Sequence, residues 1–167
     1  MTKSILLIIV SILVFGISLA TVTYINYIRL DLIPKSIMTG QLIYKSSKFN
    51  YQFSYPSNLV VSPNKFGNYL EQVNLLADNE FGPWVISVFV EPSQFKNMED
   101  WINKNRQNIN ILSRFQISGL AAVVTNDSGL ETDPNQKTLS LIKNNVLYQF
   151  SYRFINEEQF LSSIKFY

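Results

Sequence analysis

Catalysis and metal binding draw first on histidine and cysteine, and this chain contains neither. The usual ligands for zinc, haem and iron–sulfur clusters are therefore missing, as is covalent catalysis through a thiol or an imidazole. Carboxylates, hydroxyls and amines remain. Glu71, Glu80 and Glu91 fall near the ends of strand-like segments, and glycoside hydrolysis needs only two carboxylates. Acids at strand ends are ordinarily solvent-facing charges, however, and nothing in their spacing selects a pair. Serine and lysine could form a Ser–Lys pair, but no motif joins any two of them. Asp127, Glu131 and Asp133 gather oxygen ligands around Gly129 without the order of a D-x-[DN]-x-[DN]-G calcium loop, so a solvated loop is expected there. The expectation is no enzymatic activity, no cofactor and no metal. Asn126-Asp127-Ser128 matches an N-glycosylation triplet. Trp101 falls on an apolar helical stripe and reads as core. Trp84, which follows Gly82-Pro83 at a strand start, is the candidate exposed contact for a partner.

Composition agrees with a folded, strand-rich domain. The 167 residues are 47% hydrophobic and 14% aromatic, with a net charge of +2 and a pI of about 8.8. No window clusters Lys and Arg as a nucleic-acid surface requires, so nucleic acid is excluded as a partner. The absence of cysteine also rules out disulfides and a lipidated amino-terminal cysteine, and leaves the redox compartment unmarked.

Between Lys3 and Arg29 there is no charge. Residues Ile5 to Ile28 form a run of 24, about 36 Å as a helix, against about 30 Å of bilayer hydrocarbon. Tyr24 and Tyr27 stand at its far end, where aromatic rings favour the lipid–water boundary. The sequence predicts an uncut single-pass transmembrane anchor over residues 1–30, in contact with lipid through 5–28. The competing reading is a signal peptide with Lys3 in its n-region, Ile5 to Phe15 as its h-region and cleavage after Ser18-Leu19-Ala20. A short tail ahead of the span predicts an extracytoplasmic domain, although Lys3 and the amino terminus are nearly balanced by Arg29 and Lys35. Gly16, Ala20 and Thr23 place small residues on one face and are the candidate helix–helix contact in the membrane.

Residues 31–41, punctuated by Pro34 and Gly40, read as a linker. The remaining 42–167, about 125 residues, suffice for one core. Phe49, Tyr51, Phe53 and Tyr55 alternate with polar residues in a half-buried strand stopped by Pro56. A short strand at Leu59 to Val61 and an alternating one at Tyr69 to Ala77 follow. WVISVFV, apolar at nearly every position, predicts a central strand covered on both faces. NMEDWINKNRQNI takes helical spacing, with Asn97 as cap and Met98, Trp101, Ile102 and Ile109 as its apolar stripe. Strands at Leu112 to Ile117 and Leu120 to Asn126 are joined at Ser118-Gly119. KTLSLIK and VLYQFSYRF are joined by the two-residue turn Asn144-Asn145. A last helix starts at Asn156 with a capping box to Gln159, buries Phe160, Leu161 and Ile164, and leaves a short apolar tail.

Three stretches, in order, carry a resemblance. FNYQFSYPSNLVV is similar to the F-x-F-x-Y-P-x-x-W strand that opens PsbP-like domains, with Leu59 in place of the Trp. Met98-Glu99-Asp100-Trp101 resembles the family's middle helix. VLYQFSYRF with EEQFLSSIKFY resembles its closing strand, helix and S-x-K-F end. The likeness extends over Lys48 to Tyr167 and does not include the anchor. It implies an α+β fold of the PsbP/Mog type, an α/β/α sandwich with a central antiparallel sheet flanked by helices. It also implies a non-catalytic binding or assembly module, and it carries no set of partner-contacting residues across. The functional expectation is a membrane-tethered, extracytoplasmic module that binds or steadies a membrane or surface protein. The alternatives are a pilin-like structural subunit, for which the processing site and early helix Glu are missing, and an unrecognised hydrolase.

Overall fold

A computed structural model describes residues 40–62, 67–77, 83–127 and 135–167. The anchor, with Gly16, Ala20 and Thr23, lies outside the described residues, as do most of the 31–41 linker, Glu80, Glu131, Asp133 and Gly129. No helix among the described residues is long and apolar enough to cross a membrane.

The elements run β1 (Gln41–Ser46), β2 (Tyr51–Pro56), β3 (Leu59–Ser62), β4 (Glu71–Ala77), β5 (Trp84–Pro92), α1 (Met98–Asn105), β6 (Ile109–Ile117), β7 (Leu120–Asp127), β8 (Lys137–Lys143), β9 (Val146–Tyr152), α2 (Glu157–Ser163) and β10 (Lys165–Phe166). They form an antiparallel seven-stranded sheet ordered β3-β4-β5-β9-β8-β7-β6 and a small sheet ordered β1-β2-β10. The architecture is therefore α+β, mostly antiparallel sheet with two helices.

The two sheets meet through aromatic rings. The alternation along β2 turns Tyr51 and Phe53 toward β9, where Phe150 lies edge-on to both rings at 5.6 and 6.0 Å. Phe160 of α2 completes this layer against Phe53 and Tyr152, at 5.8 and 5.2 Å. Edge-to-face packing of this kind adds about 0.5–1.5 kcal/mol per pair to the burial itself. On the opposite face of the large sheet, α1 buries Met98, Trp101 and Ile102 against Val123 and Leu147. Both helices start on asparagine caps: Asn97 accepts from the Asp100 amide and Asn156 from the Gln159 amide. The β8–β9 hairpin turns on Asn144 and Asn145 at φ 53° and 59°, the left-handed geometry that matches the twist of paired strands.

Three sequence expectations change. Gln41–Ser46, for which the sequence predicts no strand, forms one and begins the small sheet. The apolar tail pairs with β2 as β10, with Phe166 opposite Tyr51. Ile109 is the first residue of β6; α1 ends at Asn105, and Ile109 packs beneath that helix from the sheet. On the outer face α1, which has just eight residues and so extends about 12 Å, packs on β7 and β9 through Val123 and Leu147.

Candidate functional site

Register places the polar residues of the outer face in rows that run across the strands. Asn74, Ser87, Ser151, Thr138 and Thr125 are successive partners on β4, β5, β9, β8 and β7. Hydrogen bonds join the row on either side of the Ser87–Ser151 step. Ser87 Oγ donates to Asn74 Oδ1 at 2.8 Å, Thr138 and Ser151 share a hydroxyl–hydroxyl bond at 2.9 Å, and Thr125 Oγ1 donates to the Thr138 carbonyl at 3.4 Å. A parallel row holds Gln72, Phe89, Gln149 and Ser140, with the Gln149 amide donating to Ser140 Oγ at 3.5 Å.

Two adjoining cavities lie over these rows. One, of about 440 Å³, is bounded by Leu76, Pro83 and Trp84 above Asn74 and Ser87. The other, of about 310 Å³, lies toward Trp101 and Asn105 above Thr138 and Gln149. They share Phe89, Gln136 and Ser151. No charged side chain is among the described residues lining either cavity.

Trp84 reaches this face through a β-bulge. Strict alternation back from Val88 and Ile86, both in the inner core, would send Trp84 inward as well. Instead Leu75 pairs with Ile86 and Leu76 with Trp84, which leaves Val85 as the extra residue. Val85 and Ile86 both point into the core, and Trp84 emerges half-buried on the outer face with Ser87 and Phe89. Bulges commonly re-aim side chains in this way. Arg153 holds the ring from outside: its Nε donates to the Trp84 carbonyl at 2.7 Å, and its guanidinium lies 4.2 Å from the ring centroid, a cation–π distance.

Of the acids picked out as possible catalysts, the two among the described residues do not come together. Glu71 pairs with Val90 on the inner face and Glu91 with Leu147 on the outer. Glu71 instead ties the sheets together, accepting from Tyr51 Oη at 2.5 Å and Ser46 Oγ at 2.9 Å. Burial, then the Glu71 carboxylate, pushes the Tyr44 phenol up to about 12. The same causes raise Tyr51 and Tyr148. At the far edge, Glu157 takes a hydrogen bond from Tyr152 at 2.9 Å and an ion pair from Lys137. No cluster of metal-ligating side chains occurs among the described residues. Asn126 lies within β7 with its amide oxygen buried and unpaired, unlike the surface-loop asparagine that glycosylation needs. Trp101 is buried under α1, as expected.

Sequence reasoning did not find the groove. Ser87 sits between Ile86 and Val88 and passes for an apolar strand's occasional hydroxyl, and only the register aligns it with Asn74 and Ser151.

No family model matches this chain, and no curated protein does. Among solved structures it is similar to the solution structure of cyanobacterial PsbP (CyanoP) from Synechocystis sp. PCC 6803, at 12% identity with a TM-score of 0.50, over 76% of this chain and 92% of that one. The fold is therefore PsbP-like.

Proposed function

We propose that this protein is a non-catalytic binding module, held at the outer side of a membrane by residues 5–28, which captures a membrane or surface protein on the open half of its large sheet. The observation that carries the reading is the uncharged groove. Its described walls are amides, hydroxyls and rings, with no carboxylate, amine or imidazole to move a proton near neutral pH. A site with convergent polar groups and apolar walls, but no acid or base, is equipped to bind rather than to convert. The uncharged run ahead of the domain supports tethering, and a tether raises the effective concentration of a weak binder near its partner. The PsbP-like fold is compatible with such a module.

The test uses the full chain in its native membranes, with a photo-crosslinking residue at Trp84 or, as control, at Val60 on the edge strand β3. The expected result is an intact amino terminus, resistance to alkaline extraction, and one protein adduct formed from position 84 alone. Release of the chain after cleavage at Ala20, or equal adducts from both positions, would overturn the proposal.

A further inference from the structure

If the groove is the binding surface, as proposed above, its chemistry narrows what it can hold. A charged ligand would lose its hydration against walls that return no opposite charge. A wholly apolar ligand would strip water from the half-buried Gln136 and Gln149 amides and replace none of its hydrogen bonds. A peptide adding as a strand needs free backbone N–H and C=O groups at a sheet edge. Here β4, β5, β9, β8 and β7 each have a hydrogen-bonded neighbour on both sides.

We infer that the groove takes a neutral saccharide, at least two linked units long, from a glycan carried by the captured protein. Sugar hydroxyls donate and accept at once, as do the Asn and Gln amides and Ser and Thr hydroxyls of the floor. The C–H face of a pyranose needs an apolar wall beside those groups, and Trp84, Leu76 and Phe89 provide one at the larger cavity. The volumes, about 440 and 310 Å³, fall within the ~300–1,000 Å³ usual for small-ligand sites. Because the cavities adjoin across Phe89, Gln136 and Ser151, neighbouring units of one chain could occupy both. The bulge at Val85 and the Arg153 clamp both serve to present an indole where such a ring would stack.

The experiment takes the full-length chain in a detergent free of sugar headgroups and titrates it with maltotriose, cellotriose, mannotriose and the trimer of N-acetylglucosamine, read by saturation-transfer NMR and calorimetry. At least one should bind with a Kd of about 1 mM or tighter. Trp84→Leu and Ser87→Val should each weaken it about tenfold, while Val60→Ser leaves it unchanged. If either groove variant fails to fold, Trp84→Phe and Gln149→Leu replace it; the first should retain most of the affinity and the second should lose it. No binding by any trisaccharide at about 10 mM, or binding indifferent to the groove variants, would overturn the inference. A protein adduct from position 84 without saccharide binding would end this inference and leave the proposed function standing; the loss of both would end both.

Discussion

Val88, Phe150, Leu139 and Val124 form one row across four strands of the large sheet, and one residue along each strand Ser87, Ser151, Thr138 and Thr125 form the next. The first row faces the small sheet and is fully buried. The second faces outward, yet Ser87, Ser151 and Thr125 are also below one-tenth exposed. The same backbone thus carries two buried surfaces closed by different means. The inner one is sealed by rings from β2, β10 and α2, while the outer one carries side-chain hydrogen bonds, from Ser87 to Asn74 and between Thr138 and Ser151. Burial alone therefore does not identify the core of this protein; what lies on top of each row does.

The difference can be broken from the inner side most strongly. Phe150→Ala removes the ring that Tyr51, Phe53 and Phe166 all meet, and should cost about 3–5 kcal/mol in denaturant unfolding. A loss near 1 kcal/mol would mean that the sheets can close over the gap. Alkali should attack the same interface next. Tyr44 and Tyr51 keep their protons in the folded protein above the ordinary value of 10.0, whereas unfolded tyrosines release theirs there. Stability is therefore fully present below pH 10 and falls as pH rises toward about 12, the Tyr44 value. Tyr44→Phe should flatten that fall in melting curves taken from pH 9 to 12, and an unchanged slope would remove Tyr44 from the account.

Smaller effects test the outer row. A double-mutant cycle on Thr138→Val and Ser151→Ala should give a coupling of about 1 kcal/mol, since each removes one side of the same bond. Zero coupling would mean that the row is a set of independent hydroxyls rather than a bonded floor. The least effect should come from Arg114→Ala. Its ion pair with Glu99 has both partners at least half exposed, and such pairs contribute about 0.2–1 kcal/mol.

Much of the inner surface was legible beforehand. The alternation of β2, the cap at Asn97, the Asn144-Asn145 turn and the capping of the last helix all follow from short-range spacing, which is what a sequence displays directly. Strand β1 escaped because its first five residues are exposed or only half-buried, so QLIYKS has no strong period. The β10 pairing escaped because two residues carry no period at all. The groove was hidden for another reason. Its floor joins residues from 74 to 151 that become neighbours only through register, and its Trp84 wall depends on a single unpaired residue. Glu71 and Glu91 were visible as acids, but the face each one occupies was not.

The bulge has a consequence for chain length. On either side of Val85 the pairing with β4 is in step, since Leu75 meets Ile86 and Leu76 meets Trp84. A chain lacking Val85 would keep both pairs and leave every remaining side chain of β5 on its present face. The same deletion at Ser87 or Phe89 would turn one end of the strand inside out. Position 85 is thus the place where this central strand can shed a residue and keep every other side chain on its face, at the loss of one buried side chain and of the Arg153 N–H bond to the Val85 carbonyl.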